Sequence, residues 1–315
     1  MIIMHIKYSL LVMMLLYNAK FYKNNNHSLN IGSYTSPIIE KSFYNIGNYS
    51  IYINTVENKI GLITLRKFTD LKNRINYAIV LDTKTLKTYI YNLKDLKIAK
   101  ISNISKNTNY SKLINLIVEK NYKTSGIDSI FNDGYSLTLD LCPSAKKFDS
   151  DFFNYIIEKN VNPIYICVSG KWIDKHNSDL KYILNYRNNN NIIIWVNHSY
   201  SHYYDSKKKN NNNFMLSENT NLDFEVLNNE ITMLKNGIIP SPFFRFPGLI
   251  SDQKICKKII SYGLIPLSSN TWIAKGQKPK NRSIILLHMN GNERNGLTLF
   301  LKFFKNTKLK PTSIF

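Results

Sequence analysis

The chain has 315 residues, enough for one large α/β domain and a smaller one with ample apolar side chains for a core. Its 42 Lys and Arg against 21 Asp and Glu leave a net charge of +21. The basic residues are scattered, no nucleic-acid motif accompanies them, and runs such as Lys207 to Asn213 are what A/T-rich codons produce, so no nucleic-acid partner is expected. Three cysteines, Cys142, Cys167 and Cys256, form no CxxC pair and argue against a disulfide framework or a structural zinc site.

At the N-terminus, Lys7 precedes a short apolar run from Tyr8 to Tyr17, followed by Asn18-Ala19-Lys20. The run is short for a bilayer span, and the order positive, apolar, polar suits a secretory signal peptide over residues 1–25. Tyr17 is a poor residue before a cut after Ala19, so retention as a membrane anchor stays open, as does a buried first strand or helix. Either export signal implies a periplasmic, secreted or outward-facing anchored protein. Residues 26–125 read as a polar linker followed by a small β-rich accessory region. Ile51-Tyr-Ile-Asn, Gly61-Leu-Ile-Thr-Leu, Tyr77-Ala-Ile-Val-Leu and Thr88-Tyr-Ile-Tyr-Asn are short β-rich runs between turn-like stretches. A helix is expected over Ser111 to Tyr122, with Leu113, Ile114, Ile117 and Val118 on one face.

From about Ile127 strand and helix patterns alternate. Strands are expected at Tyr135–Asp140, Pro163–Val168, Asn191–Val196, Pro242–Arg245, Leu264–Leu267 and Ser283–Leu287. Helices are expected over Asp149–Asn160, Asp174–Tyr186, Leu222–Asn236 (stopped by Gly237) and Ser251–Tyr262. The alternation calls for parallel strands with helical crossovers, in an open sheet or a barrel. Asp140, His198, Arg245 and His288 fall at the C-terminal ends of these strands, the face where β/α barrels gather their chemistry. His198 and His202 are spaced i, i+4. One helical turn there would point both rings to one side, where they could share a metal ion, although such a pair also arises by chance.

Five segments in order carry a resemblance. Ser136-Leu-Thr-Leu-Asp-Leu-Cys-Pro143 resembles the first motif of the polysaccharide deacetylases (carbohydrate esterase family 4), usually Thr-Phe-Asp-Asp-Gly-Pro. His198-Ser-Tyr-Ser-His202 resembles the second, Phe244-Arg-Phe-Pro-Gly248 the third, Ser268-Ser-Asn-Thr-Trp272 the fourth and Leu286-Leu-His288 the fifth. The resemblance covers residues 126–315 and implies a distorted parallel β/α barrel catalytic domain, preceded by the small β-rich region.

It also implies a reaction, removal of N-acetyl or O-acetyl groups from an amino-sugar glycan, cell-wall peptidoglycan among the candidates. A divalent metal, zinc by preference, would lie on His198 and His202. Asp140 would be the general base, Arg245 its partner, and His288 the general acid with Asn270 as a possible orienting group. Trp272, Leu286 and Gly248 would line the substrate pocket. Two positions depart from the pattern. Leu141 stands where the family has a second aspartate as metal ligand, which would weaken metal binding; Leu141→Asp would then tighten it. Asp149 is the nearest acidic residue downstream and the candidate to replace that ligand. Asn270 stands where an aspartate would tune the acid histidine. These departures leave a second reading open: a glycan-binding relative on the same barrel, with catalysis impaired.

Overall fold

The structure, a computed structural model, describes residues 31–35, 51–54, 61–70, 73–96, 98–101, 107–186 and 192–315. The signal peptide or anchor expected over 1–25, and most of the linker, lie outside the described residues. No helix among the described residues is long and apolar enough to cross a membrane. The chain groups into two compact units, one up to Ser111 together with Leu234–Ile239, the other Lys112–Met233 and Pro240–Phe315.

The first unit is antiparallel. Strands β1 (Ile31–Thr35), β2 (Ile51–Asn54), β3 (Leu62–Asp70), β4 (Ile75–Asp82), β5 (Thr88–Asn92) and β6 (Ile98–Ile101) form one sheet in the order β5-β4-β3-β2-β6, with β1 also on β3. β-Branched and aromatic runs make these strands, and Ala78 to Leu81 of β4 are fully buried. Asp82 starts the β4–β5 turn, its Oδ1 accepting from the backbone N–H groups of Lys84 and Thr85. Residues 31–111 contain neither His nor Cys.

The second unit holds seven parallel strands: β7 (Tyr135–Leu141), β8 (Ile164–Val168), β9 (Ile193–Asn197), β10 (Phe243–Phe244), β11 (Ile265–Pro266), β12 (Thr271–Trp272) and β13 (Ser283–His288). Their order is β11-β10-β9-β8-β7-β13-β12. All seven residues of β7 are buried, as expected of a central parallel strand covered on both faces. The segment 127–130 ties the β11 edge of the sheet to β13. Ile127 pairs with Leu267 beyond β11, and Ser129 pairs with Ser283 at the start of β13. The result is a curled, distorted barrel. Gly126 makes that closure possible: its φ is +128°, and a Cβ there would lie 2.3 Å from the Pro266 carbonyl oxygen.

Helices α1 (Asn109–Glu119), α2 (Ser150–Glu158), α3 (Gly170–Lys175), α4 (Asn177–Asn185), α5 (Asn229–Lys235), α6 (Gln253–Ser261) and α7 (Arg294–Asn306) follow the expected alternation with three differences. The expected helix Asp174–Tyr186 starts earlier and divides at His176, whose ring is held by the Asp179 carboxylate and the Ser144 carbonyl oxygen. The expected helix Leu222–Asn236 begins with a π-helical turn, Phe224–Asn228. Helix α7 and strand β12 were not expected from the sequence pattern.

Candidate active site

Strand β7 alternates its side chains, so Thr138 and Asp140 share one face while Leu139 and Leu141 share the other. Arg245, the residue just after β10, reaches that first face. Its Nη1 lies 3.3 and 3.4 Å from the two Asp140 oxygens and its Nη2 donates to Thr138 Oγ1. The rest of the guanidinium donates to the carbonyl oxygens of Leu267 and Ser268. Both members of the pair are buried, Arg245 at 0% and Asp140 at 3% exposure. A buried charge pair of this kind needs its remaining donors satisfied, and here they are.

The histidine pair does not sit on a helical turn. His198 follows β9, and the chain then runs as an irregular loop in which Ser199 and His202 take φ of +61° and +45°. Non-glycine residues seldom adopt that conformation, and surrounding bonds must hold it. They are buried and polar. Asn197 Oδ1 accepts from Ser199 N, Glu225 Oε2 accepts from Ser201 N, and Ser199 Oγ accepts from His202 N. Asn229 locks the frame by donating to Asn197 Oδ1 and to the Val168 carbonyl. Glu225 reaches the loop from the π-helical turn. The outcome still brings the rings together, with centroids 4.6 Å apart.

His198 Nδ1 lies 2.9 Å from the Arg245 carbonyl oxygen and donates to it, which leaves Nε2 to face Cys142. That Nε2 is 3.7 Å from Asp140 Oδ2 and 3.5 Å from Cys142 Sγ. His202 Nε2 is buried without a hydrogen-bond partner. Cys142, His198 and His202 each offer one ligand atom, all within 4.8 Å of one another. An orphaned buried imidazole nitrogen beside a second imidazole and a thiol suits a divalent metal of zinc character. Burial opposes ionisation of the Cys142 thiol, but the surrounding imidazoles of His202, His288 and His198 outweigh it and hold its pKa well below the ordinary range. Burial likewise opposes protonation of His202, yet Cys142 and Asp140 raise its pKa.

Leu141 is fully buried on the face of β7 opposite Asp140 and does not line the cleft. Its carbonyl accepts from Ser169. Asp149 does not replace the missing carboxylate: its Oδ2 accepts from Gly291 N and its Oδ1 pairs with Arg294.

His288 ends β13 beside Asp140, its direct neighbour in register. Its Nδ1 lies 2.6 Å from Glu293 Oε2, and Trp272 Nε1 donates to the same oxygen at 3.0 Å. Asn270, a possible orienting group by the motif, does not reach the ring. Its Oδ1 accepts from Ile284 N and Thr271 Oγ1, fastening β12 to β13 rather than touching the ring. Burial pulls His288 toward the neutral form, but Cys142, Glu293 and Asp140 together hold its pKa well above the ordinary value. Burial raises Glu293, and the stronger opposing hydrogen bonds from His288 and Trp272 leave its pKa lowered.

These side chains surround one cleft of about 790 Å³. Asp140, Cys142, His198, His202, His288 and Glu293 all line it; Trp272, Leu286 and Gly248 form part of its wall. Gly248 takes φ of +64°, and a Cβ there would meet the Phe214 ring at 2.7 Å, so only glycine lets that ring pack beside His202. Sequence reading missed Cys142 and Glu293. The first stands one residue past the expected ligand position, and the second lies in a loop with no pattern of its own.

No family model matches the chain. Solved structures similar to it include a family 4 carbohydrate esterase from Bacillus anthracis, at 18% identity and a TM-score of 0.45, covering 62% of this chain and 89% of that one. A family 4 carbohydrate esterase from Streptomyces lividans matches at 16% identity and 0.41, covering 58% and 93%. One from Bacillus subtilis matches at 15% and 0.44, covering 65% and 86%. All three belong to the family that the five motifs resemble.

Proposed function

We propose that the second unit is a metal-assisted hydrolase that removes acetyl groups from an acetylated amino-sugar glycan. What supports the reading is the convergence of a buried carboxylate, two adjacent imidazoles and a carboxylate-held third imidazole on one cleft. His198 and His202 would hold the metal, which when bound would polarise the acyl carbonyl and lower the pKa of a water. Asp140 takes the proton of the attacking water, held in place by Arg245. His288 directs Nδ1 to Glu293, so its Nε2 carries the proton that passes to the leaving amine. Trp272 and Leu286 enclose the acetyl methyl. Peptidoglycan is a plausible substrate, and export through the N-terminal segment would bring the enzyme to it.

The deciding experiment measures acetate release from a panel of acetylated glycans, with and without chelator. Chelator-sensitive release supports the proposal. Glycan binding without release under any metal would favour the impaired binder instead. His198→Ala combined with His202→Ala is expected to purify without metal by elemental analysis and to release no acetate. An active, metal-free unmutated protein would overturn the metal assignment.

The acid's pH limb follows from its raised pKa. A histidine held above its ordinary value of about 6.5 stays protonated longer as pH rises. The stability it gains, from Cys142 first and then from Glu293, is therefore full below that ordinary value and is lost as pH climbs through the raised one. Acetate release should fall over the same alkaline interval. In Glu293→Gln the limb moves to lower pH, and above it the rate falls about tenfold for each pH unit moved. A pH–rate profile that does not move would remove Glu293 from the mechanism.

A further inference from the structure

The family-like reading leaves a metal on two neutral imidazoles, with a leucine where a third ligand belongs. Leu141 cannot return to the site, because β7 turns its side chain to the opposite face. The next residue does. Cys142 lies just past the strand end and lines the cleft, with Sγ 3.5 Å from His198 Nε2. Two ligand atoms on one tetrahedral zinc, with bonds of roughly 2.3 Å to sulfur and 2.0–2.1 Å to nitrogen, sit about 3.3–3.6 Å apart. The Cys142–His198 separation falls in that interval. His198 donates its other nitrogen to the Arg245 carbonyl, the arrangement that metal-ligating histidines use to fix their tautomer. His202 Nε2, buried and unpartnered, completes the triangle.

We infer that Cys142 is the third metal ligand, a thiolate in place of the carboxylate, making a Cys-His-His centre. The inference rests on the metal-hydrolase reading above. Metal binding then forms one metal–sulfur bond, and the protons shared by Cys142 and its neighbouring imidazoles pass to solvent. Both oxygens of Asp140 face Arg245, and Asp140 is left for proton transfer. A thiolate makes the centre softer, favouring zinc and cobalt over magnesium or calcium.

The test reads the ligand directly. Protein stripped with chelator and reloaded with cobalt(II) is expected to show a near-ultraviolet sulfur-to-cobalt charge-transfer band together with visible d–d bands. In Cys142→Ser the charge-transfer band should vanish while Cys167 and Cys256 remain in place. The zinc-loaded, unmutated protein should show one sulfur scatterer at about 2.3 Å by X-ray absorption. That measurement needs no variant to fold, and Cys142→Asp offers a second one. Bound cobalt with no charge-transfer band, or zinc with only nitrogen and oxygen neighbours, overturns Cys142 and leaves the hydrolase reading standing. Sulfur ligation in a protein that releases acetate from no glycan sustains the ligand and removes the activity. An unmutated protein that takes up neither metal overturns both.

Discussion

Asp140→Asn is expected to lower acetate release by about 10²- to 10⁴-fold, the usual contribution of a positioned general base. The amide keeps the shape of the carboxylate and can still accept from Arg245, but it cannot take a proton from water. The variant also leaves a fully buried guanidinium without its counter-charge. Removing one partner of a buried pair costs about 3–5 kcal/mol, and the loss should show as a lower melting temperature. The hydrogen bonds from Arg245 to Leu267, Thr138 and Ser268 survive and should keep the strands in place. Metal content measured on the same samples separates the two effects, since His198 and His202 are untouched. Full activity in a folded Asp140→Asn protein would rule out the assigned base.

Leu141→Asp is expected to lose several kcal/mol of stability and gain no metal affinity. By the motif alone, an aspartate here would restore the missing ligand and tighten metal binding. The fold reverses that expectation. Position 141 is fully buried, on the apolar face of a strand that is covered on both sides. A carboxylate placed there has no partner and bears the full cost of desolvation. Denaturant unfolding beside a zinc competition titration checks both parts. Tighter zinc binding at unchanged stability would mean that β7 presents its faces the other way round.

The two variants differ in how far sequence can be read. Asp140, His198, Arg245 and His288 were legible because each ends an apolar strand, and parallel strands of one barrel deliver such ends to a common mouth. The histidine pair was found for a partly mistaken reason. No helical turn joins the rings; a loop with two left-handed residues does, held by Asn197, Glu225 and Asn229. Those three supports lie up to about thirty residues apart and share no pattern. Glu293 escaped notice for a similar reason, since a loop carboxylate reaches His288 only once the chain has turned into α7.

What the sequence determined by itself is the alternation of apolar runs, and through it the parallel barrel and the strand ends that carry the chemistry. Burial and strand periodicity are local properties, written in consecutive residues. Which of two adjacent side chains enters the cleft was decided only by the tertiary structure. Leu141 points away and Cys142, just beyond the strand, points in. Where the pleat ends and the loop begins depends on the pairing of β7 with β8 and β13, contacts between segments far apart in the chain.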